Sequence, residues 1–100
     1  MNIDITFITI NYNSSDLTIK LVDSIILQTV VLNFEIIIVD NASKEEDFKN
    51  LYNNLGLMTQ VKIIRNKINS GFASGHMLGI NDANEKYDLF INNDCILLDN

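Results

Sequence analysis

Residues 89–94 combine a short apolar run with an acidic side chain, a pairing that can bind a metal ion and a phosphate group. The apolar residues 89–91 lack polar alternation, which is typical of a strand covered on both faces, and they are followed by Asn92, Asn93 and Asp94. Mg²⁺ and Mn²⁺ prefer oxygen ligands and often use one or two carboxylates, with substrate phosphates and water completing the shell. The sequence therefore predicts Asp94 as a metal ligand; a solvated turn aspartate is the alternative.

Three earlier apolar segments also end in polar residues. The first ends at Asn11, the second at Asp40, and the third at Arg65 and Asn66. Because the carboxyl ends of parallel strands share one edge of an open sheet, where ligands bind, we expect these side chains to lie together with Asp94. Asn and Asp also favour turns whatever the function, so ordinary turns would give the same pattern.

For several of these residues a role in ligand binding competes with an ordinary structural role. Asp40 could accept hydrogen bonds from a base or ribose, or simply open a loop. Arg65 could pair with a diphosphate, or be solvated. The loop of residues 69–75 contains Gly71 but lacks the Lys-Ser/Thr of a P-loop and the G-x-G-x-x-G pattern. The single histidine, His76, has no Ser or Cys partner at a suitable spacing, so the residues give no support to a nucleophilic triad.

The elements that must position these residues alternate between strand and helix patterns. Strands are predicted over residues 3–10, 34–39, 61–64 and 89–91, and helices over residues 16–28, from the Ser43 cap to Leu55, and about 77–83. Ser14 or Ser15 is expected to cap the first helix, a capping box of Ser43 and Glu46 the second, and Gly56 to end it. The alternation predicts an α/β fold, a doubly wound parallel sheet of about four strands with three helices.

Length and composition limit the classes of function. A chain of 100 residues with 47% hydrophobic and 20% charged residues suits one small globular domain. A net charge of -6, with seven scattered Lys and Arg residues, argues against a nucleic-acid binder. The single cysteine, Cys95, rules out an internal disulfide, and neither a signal peptide nor an apolar run of ~20 residues is evident. We therefore expect a cytoplasmic location.

Four motifs follow one another along the chain. They are Asn11-Tyr12-Asn13, Ile38-Val39-Asp40-Asn41-Ala42-Ser43, Arg65-Asn66 with Asn69-Ser70-Gly71-Phe72-Ala73-Ser74-Gly75, and Ile91-Asn92-Asn93-Asp94. In this order and at these intervals they resemble the large family of inverting nucleotide-sugar glycosyltransferases with the Rossmann-like GT-A fold. The similarity is closest to the rhamnosyltransferase-like members, and it covers almost the whole chain.

The resemblance implies a donor site. The segment from Asn11 to Asn13 would lie beside the nucleotide base, Asp40 would contact base or ribose, and Asp94, as the last position of a D-x-D motif, would hold Mn²⁺ or Mg²⁺ against the donor diphosphate. The metal would offset charge on the departing nucleoside diphosphate while an acceptor hydroxyl attacks with inversion. The implied donor-binding residues are Asn11, Tyr12, Asn13, Asp40, Arg65, Asn66, Gly71, Asn92 and Asn93.

Two positions depart from the family pattern, and one region of the family is absent. Asn92 stands where many members carry the first aspartate, which leaves one charged ligand, and His76-Met77 replaces a usual Asn or Arg. The family places its catalytic base and acceptor-binding residues well downstream of the D-x-D motif. We therefore interpret residues 1–100 as the donor-binding half of a truncated GT-A domain, with no catalytic residue and no activity on its own.

The implied function is transfer from a UDP- or dTDP-linked sugar to a saccharide or lipid-linked acceptor in surface polysaccharide synthesis. The full-length enzyme would work in the cytoplasm or at the inner face of the membrane. The alternative is a noncatalytic α/β module for nucleotide binding or self-association, which could form a homodimer or a domain swap through the truncated surface. A flavodoxin-like or receiver-like domain is a third interpretation, because its strands also end in acidic residues.

Overall fold

A computed structural model describes residues 3–29, 33–66 and 88–93 of the chain. The elements are strand β1 (Ile5–Asn11), helix α1 (Ser15–Gln28), strand β2 (Phe34–Asn41), helix α2 (Glu45–Leu55), strand β3 (Val61–Asn66) and strand β4 (Asp88–Phe90). All strand pairs are parallel, and the order across the sheet is β3-β2-β1-β4. The predicted α/β class with a parallel four-stranded sheet is confirmed. The third predicted helix, residues 77–83, lies outside the described residues.

The first three strands continue further toward their carboxyl ends than the sequence predicts, whereas β4 ends one residue earlier. β1 ends at Asn11, β2 at Asn41 and β3 at Asn66, so each polar residue is the last of its strand rather than part of a following loop. Successive side chains in a strand point to opposite faces of the sheet. Each of these polar residues therefore points to the same face as the residue two positions before it.

Both described helices pack on the same face of the sheet. The buried cluster on that face consists of Phe7, Ile36 and Ile38 from the sheet, Leu21, Val22 and Ile25 from α1, and Leu51 and Leu55 from α2. Fully burying an aliphatic or aromatic side chain of this size contributes ~1.5–3 kcal/mol, so this cluster holds the helices in place. Ile8, Ile37 and Val39 form a second buried cluster on the opposite face. Neither α1 nor α2 has the length and hydropathy that a membrane-spanning helix requires.

The start of α2 differs from the predicted capping box of Ser43 and Glu46. The helix begins at Glu45 and its N-cap makes no side-chain hydrogen bond. The Ser43 hydroxyl instead accepts hydrogen bonds from the backbone N–H of Asn13 at 2.9 Å and from the amide of Asn11 at 3.2 Å. The capping-box prediction is wrong because this hydroxyl is already bound to β1 and the loop that follows it.

Candidate functional site

The carboxyl ends of the strands bring most of the predicted site residues to one edge of the sheet. The parallel register aligns Asn11 with Asp40, Asp40 with Arg65, and Asn41 with Asn66. The sheet grows from β1 toward β2 and β3 on one side, whereas β4 lies on the other side, so the winding changes direction between β1 and β4. In open parallel sheets ligands bind in the crevice at such a switch point.

Asn11 is the centre of a buried polar network and has no exposed surface. Its amide nitrogen has two hydrogens and three acceptors, Asp40 Oδ1 at 2.8 Å, Asp47 Oδ2 at 2.9 Å and, sharing one of the hydrogens at a longer distance, Ser43 Oγ at 3.2 Å. Its amide oxygen accepts a hydrogen bond from Thr18 Oγ1 at 2.7 Å. The amide therefore joins the end of β1 to the end of β2 and to both helices, which is a structural role. Its predicted contact with a nucleotide base stays a prediction.

Asp47 belongs to the same network although it lies on α2. Partial burial by itself would raise the pKa of the Asp47 carboxyl, but hydrogen bonds from the Ser15 backbone N–H, from the Asn11 amide and from the hydroxyls of Ser15 and Ser43 outweigh that effect and lower the pKa. The backbone N–H and the hydroxyl of Ser15 lie 3.0 and 2.8 Å from Asp47 Oδ1. The ionised carboxylate thus fixes the first turn of α1 against the first turn of α2.

Asp40 is fully buried, and a charged group, the guanidinium of Arg65, lies close to it. Arg65 Nε lies 3.7 Å from Asp40 Oδ2, which is an ion pair but is too long for a hydrogen bond. The Arg65 Nη2 group donates to Glu45 Oε1 at 2.8 Å, and the guanidinium lies 4.1 Å from the centre of the Phe48 ring. This stacked geometry holds the guanidinium plane still, so Arg65 compensates the Asp40 charge from a fixed position.

The predicted site residues on β1, β2 and β3 divide between two faces of the sheet. Asn11, Asp40 and Arg65 share the face that carries α1 and α2. Asn66 lies on the opposite face, where its amide nitrogen donates to Asn41 Oδ1 at 3.1 Å. The structure therefore brings these residues to one edge but not to one surface.

Of the predicted site residues that the structure describes, Tyr12, Asn13 and Asn92 are exposed. The Tyr12 side chain is 51% exposed, and the Asn92 side chain, just beyond β4, is exposed as well. Asn13 has a φ of 50° and Ala42 a φ of 59°, so the chain turns through the left-handed region after both central strands. Such a conformation costs a non-glycine residue roughly 1–2 kcal/mol, and backbone strain of this kind clusters at binding sites.

A surface cleft of about 430 Å³ opens beside this edge, between the N-termini of α1 and α2. Its lining residues are Asn13, Ser15, Asp16, Lys44, Glu46, Asp47 and Asn50. Asn13 is the member of the predicted site that lines it. The lining carries three carboxylates and one lysine, so the cleft does not suit a diphosphate.

A divalent cation is compatible with the atoms that the carboxyl edge offers. Within residues 3–29, 33–66 and 88–93, no group of three or more His, Cys, Asp or Glu side chains is placed to hold a metal ion. A cation that shares substrate phosphates does not need such a group. The exposed Asn92 supplies an amide oxygen, a ligand type that hard cations accept. Asp94, the predicted ligand, and Gly71 lie outside the described residues.

Sequence reasoning missed the helix residues that complete the network. Thr18, Ser15 and Asp47 are not at strand ends, so the search for polar residues there passes over them. A usable signal was present in α1, because Thr18 is three residues before Leu21 and therefore lies on the buried stripe of the helix. A polar residue on such a stripe indicates a buried partner.

Comparisons with solved structures identify the same fold in a mannosyltransferase and in TarS. The mannosyltransferase PcManGT from Pyrobaculum calidifontis, in complex with GDP-Man and Mn²⁺, matches with a TM-score of 0.82 and 17% identity over 96% of this chain and 29% of that chain. S. aureus TarS 1–349 matches with a TM-score of 0.73 and 24% identity, and its complex with UDP with 0.76 and 23%; each match covers 92% of this chain and 28% of that chain. The chain thus spans less than a third of these proteins.

The sequence itself matches one protein family over nearly its whole length. No curated protein sequence matches the chain significantly. The model of the family described as glycosyl transferase family 2 matches residues 6–100. The predicted membership of the GT-A glycosyltransferases is confirmed: the chain belongs to glycosyl transferase family 2.

Proposed function

We propose that this chain is the donor-binding part of an inverting glycosyltransferase, and that a nucleoside-diphosphate sugar binds at the carboxyl edge of the sheet. The observation that carries the proposal is the switch point between β1 and β4, flanked by the exposed Tyr12, Asn13 and Asn92. Family membership supports the class of reaction. The complexes of PcManGT with GDP-Man and of TarS with UDP support a nucleotide donor.

The exposed Tyr12 suits the nucleotide end of such a donor. The Tyr12 ring, at the end of β1, can stack on a nucleotide base, since aromatic rings offer a large contact area with a polar tip. Asp40 and Asn11 would act behind this surface by holding the ends of β1 and β2 in place. Arg65 would place a fixed positive charge near the donor. Its ion pairs with Asp40 and Glu45 would weaken the attraction of this charge for the diphosphate.

The cation is proposed to bind at the carboxyl end of β4, with Asp94 as the charged ligand and Asn92 as a neutral one. When bound, a divalent ion supplies positive charge that stabilises a departing nucleoside diphosphate. The Mn²⁺ in the PcManGT complex supports the choice of metal. The net charge of -6 makes a cation useful here, because a diphosphate would otherwise approach an acidic protein.

The wider function remains part of the proposal. The acceptor would be a saccharide or lipid-linked molecule of surface polysaccharide synthesis, with the catalytic base supplied by a part of the fold that residues 1–100 do not include. A UDP- or dTDP-linked sugar is the proposed donor, and the cytoplasm or the inner membrane face the proposed location.

A second candidate function is self-association through β4. Leu89 and Phe90 of this strand are 42% and 40% exposed, and β4 is an outer strand of the described sheet. Outer strands can pair with another chain. Light scattering after size-exclusion chromatography separates this candidate from the first, because a monomer at high concentration would contradict it.

Calorimetric titration of UDP, dTDP and GDP, with and without Mn²⁺, tests the proposed donor site. We expect at least one nucleotide to bind more tightly with Mn²⁺, and Asp94→Ala to remove that enhancement. Asp88→Ala is the matched control, because it removes a carboxylate at the opposite end of β4. If no nucleotide binds with metal, the donor site is contradicted; if Asp94→Ala binds like the wild type, the assignment of Asp94 fails.

A further inference from the structure

Asn93 joins the end of β4 to the first turns of α1. Its amide nitrogen donates to Ser14 Oγ at 2.6 Å and to Thr18 Oγ1 at 3.1 Å. An amide nitrogen has two hydrogens, so these two acceptors use both. The amide oxygen of Asn93 is then the atom left for a contact with a donor molecule or a cation.

The direction of these hydrogen bonds is fixed by the carboxylates at the other end of the network. Asp40 and Asp47 accept from Asn11, which orients the Asn11 amide with its nitrogen toward them. The Asn11 oxygen must then face Thr18, and the Thr18 hydroxyl must donate to it. Having given its hydrogen to Asn11, Thr18 can only accept from Asn93.

From Asn93 to Thr18 to Asn11, each donor points toward the carboxylates of Asp40 and Asp47, so these bonds strengthen one another. Thr18 is fully buried and its hydroxyl is the link between the two amides. Ser14, the other acceptor for Asn93, lies at the N-cap of α1. The end of β4 is thus set by the same carboxylates that fix α1 against α2.

We propose that Thr18 is a positioning residue for the metal-binding segment: through Asn93 it holds the end of β4 in the place where a divalent cation and the donor diphosphate bind. The inference rests on the proposed function, because Asn93 lies between Asn92 and Asp94 in the sequence. Removing a partner that orients a metal ligand typically lowers metal affinity about 10- to 100-fold. Thr18 touches neither metal nor nucleotide.

The test is nucleotide binding by calorimetry at several Mn²⁺ concentrations for the wild type and Thr18→Val. The variant keeps the shape of Thr18 and removes its hydroxyl. We expect the apparent affinity for Mn²⁺ in the presence of nucleotide to fall about 10-fold, whereas nucleotide binding without metal stays within about twofold. Thr18→Ser, which restores the hydroxyl, should restore most of the Mn²⁺ affinity.

Ser24→Ala is the matched control on the same helix. Its hydroxyl is buried and donates to Leu21 O at 2.7 Å, six residues further along α1 than Thr18, so its loss should leave the Mn²⁺ dependence unchanged. Asn93→Ala removes the same link from the other side and should match Thr18→Val; it also serves if Thr18→Val does not fold. Combined, the two changes should cost no more than one alone.

The outcomes separate this inference from the function on which it rests. If the wild type binds every nucleotide equally with and without Mn²⁺, the proposed function fails and the inference with it. If the wild type shows the Mn²⁺ enhancement while folded Thr18→Val and Asn93→Ala retain it in full, only the positioning role is overturned. An equal loss in Ser24→Ala would also overturn it, since the effect would then come from helix stability.

Discussion

Replacing Asn11 with alanine tests the network at its centre. The change removes hydrogen bonds of 2.8 and 2.9 Å to two carboxylates and one of 2.7 Å from Thr18. A hydrogen bond to a charged group contributes ~1.5–3 kcal/mol and a neutral one ~1 kcal/mol. Asp47 is partly exposed and can regain water, whereas the fully buried Asp40 cannot. We therefore expect the free energy of unfolding to fall by about 3–4 kcal/mol, less than the full sum, because bonds in one network are not additive.

The assay is urea unfolding followed by circular dichroism at pH 7, with Asn54→Ala as the matched control. Asn54 is exposed on α2 and its amide donates to Asn50 one turn earlier, so its loss should cost less than about 0.5 kcal/mol. For a chain of this size 3 kcal/mol corresponds to a fall in melting temperature of about 12–24 °C. A cost for Asn11→Ala below about 1 kcal/mol would refute the structural role and leave Asn11 free to be a ligand contact.

Two further substitutions follow from the same contacts. The pKa of Asp47 is lower in the folded chain than in the unfolded one, so its stabilising effect is complete above the unfolded value of about 3.9 and disappears as the pH falls through the folded value. The difference in unfolding free energy between the wild type and Asp47→Asn should accordingly shrink between pH 7 and pH 2, and a constant difference would contradict the pKa direction. Arg65→Leu should destabilise by about 3 kcal/mol, because it leaves the buried Asp40 without a cation. Lys62→Leu, which changes an exposed residue on the same strand, is the control. Equal urea midpoints for the two variants would contradict a stabilising ion pair between Arg65 and Asp40.

The sequence predicts the sheet because its signals are local and strong. The β-branched runs of β1 and β2, and the apolar stripe of α1, leave few alternatives for those segments. The polar residues at the strand ends are also predictable, since a parallel sheet must place them at one edge. The predicted bounds differ from the observed ones by no more than two residues at either end of a strand.

The direction of the polar side chains is not predictable in the same way. The sequence pattern of an Asn at or just after the end of a strand is the same in two different situations. Its side chain can face a ligand, as proposed for Asn13, or be buried among carboxylates, as that of Asn11 is. The difference depends on Thr18 and Asp47, which the fold brings near from other elements. The capping-box prediction fails for the same reason, because the partner of Ser43 is Asn13 of another loop rather than its own helix. Local patterns do not contain such partners.

The measurement that bears most directly on the donor site is the nuclear magnetic resonance spectrum of the chain with Mn²⁺, recorded with and without a nucleoside diphosphate. Bound Mn²⁺ broadens the signals of nearby amides. We predict nucleotide-dependent broadening at the carboxyl edge of the sheet, at Asn13 and Asn92, and none at the amino ends of the strands, at Asp4 and Phe34. Nucleotide-dependent broadening at the amino ends, or none anywhere, would contradict a donor site at the switch point between β1 and β4.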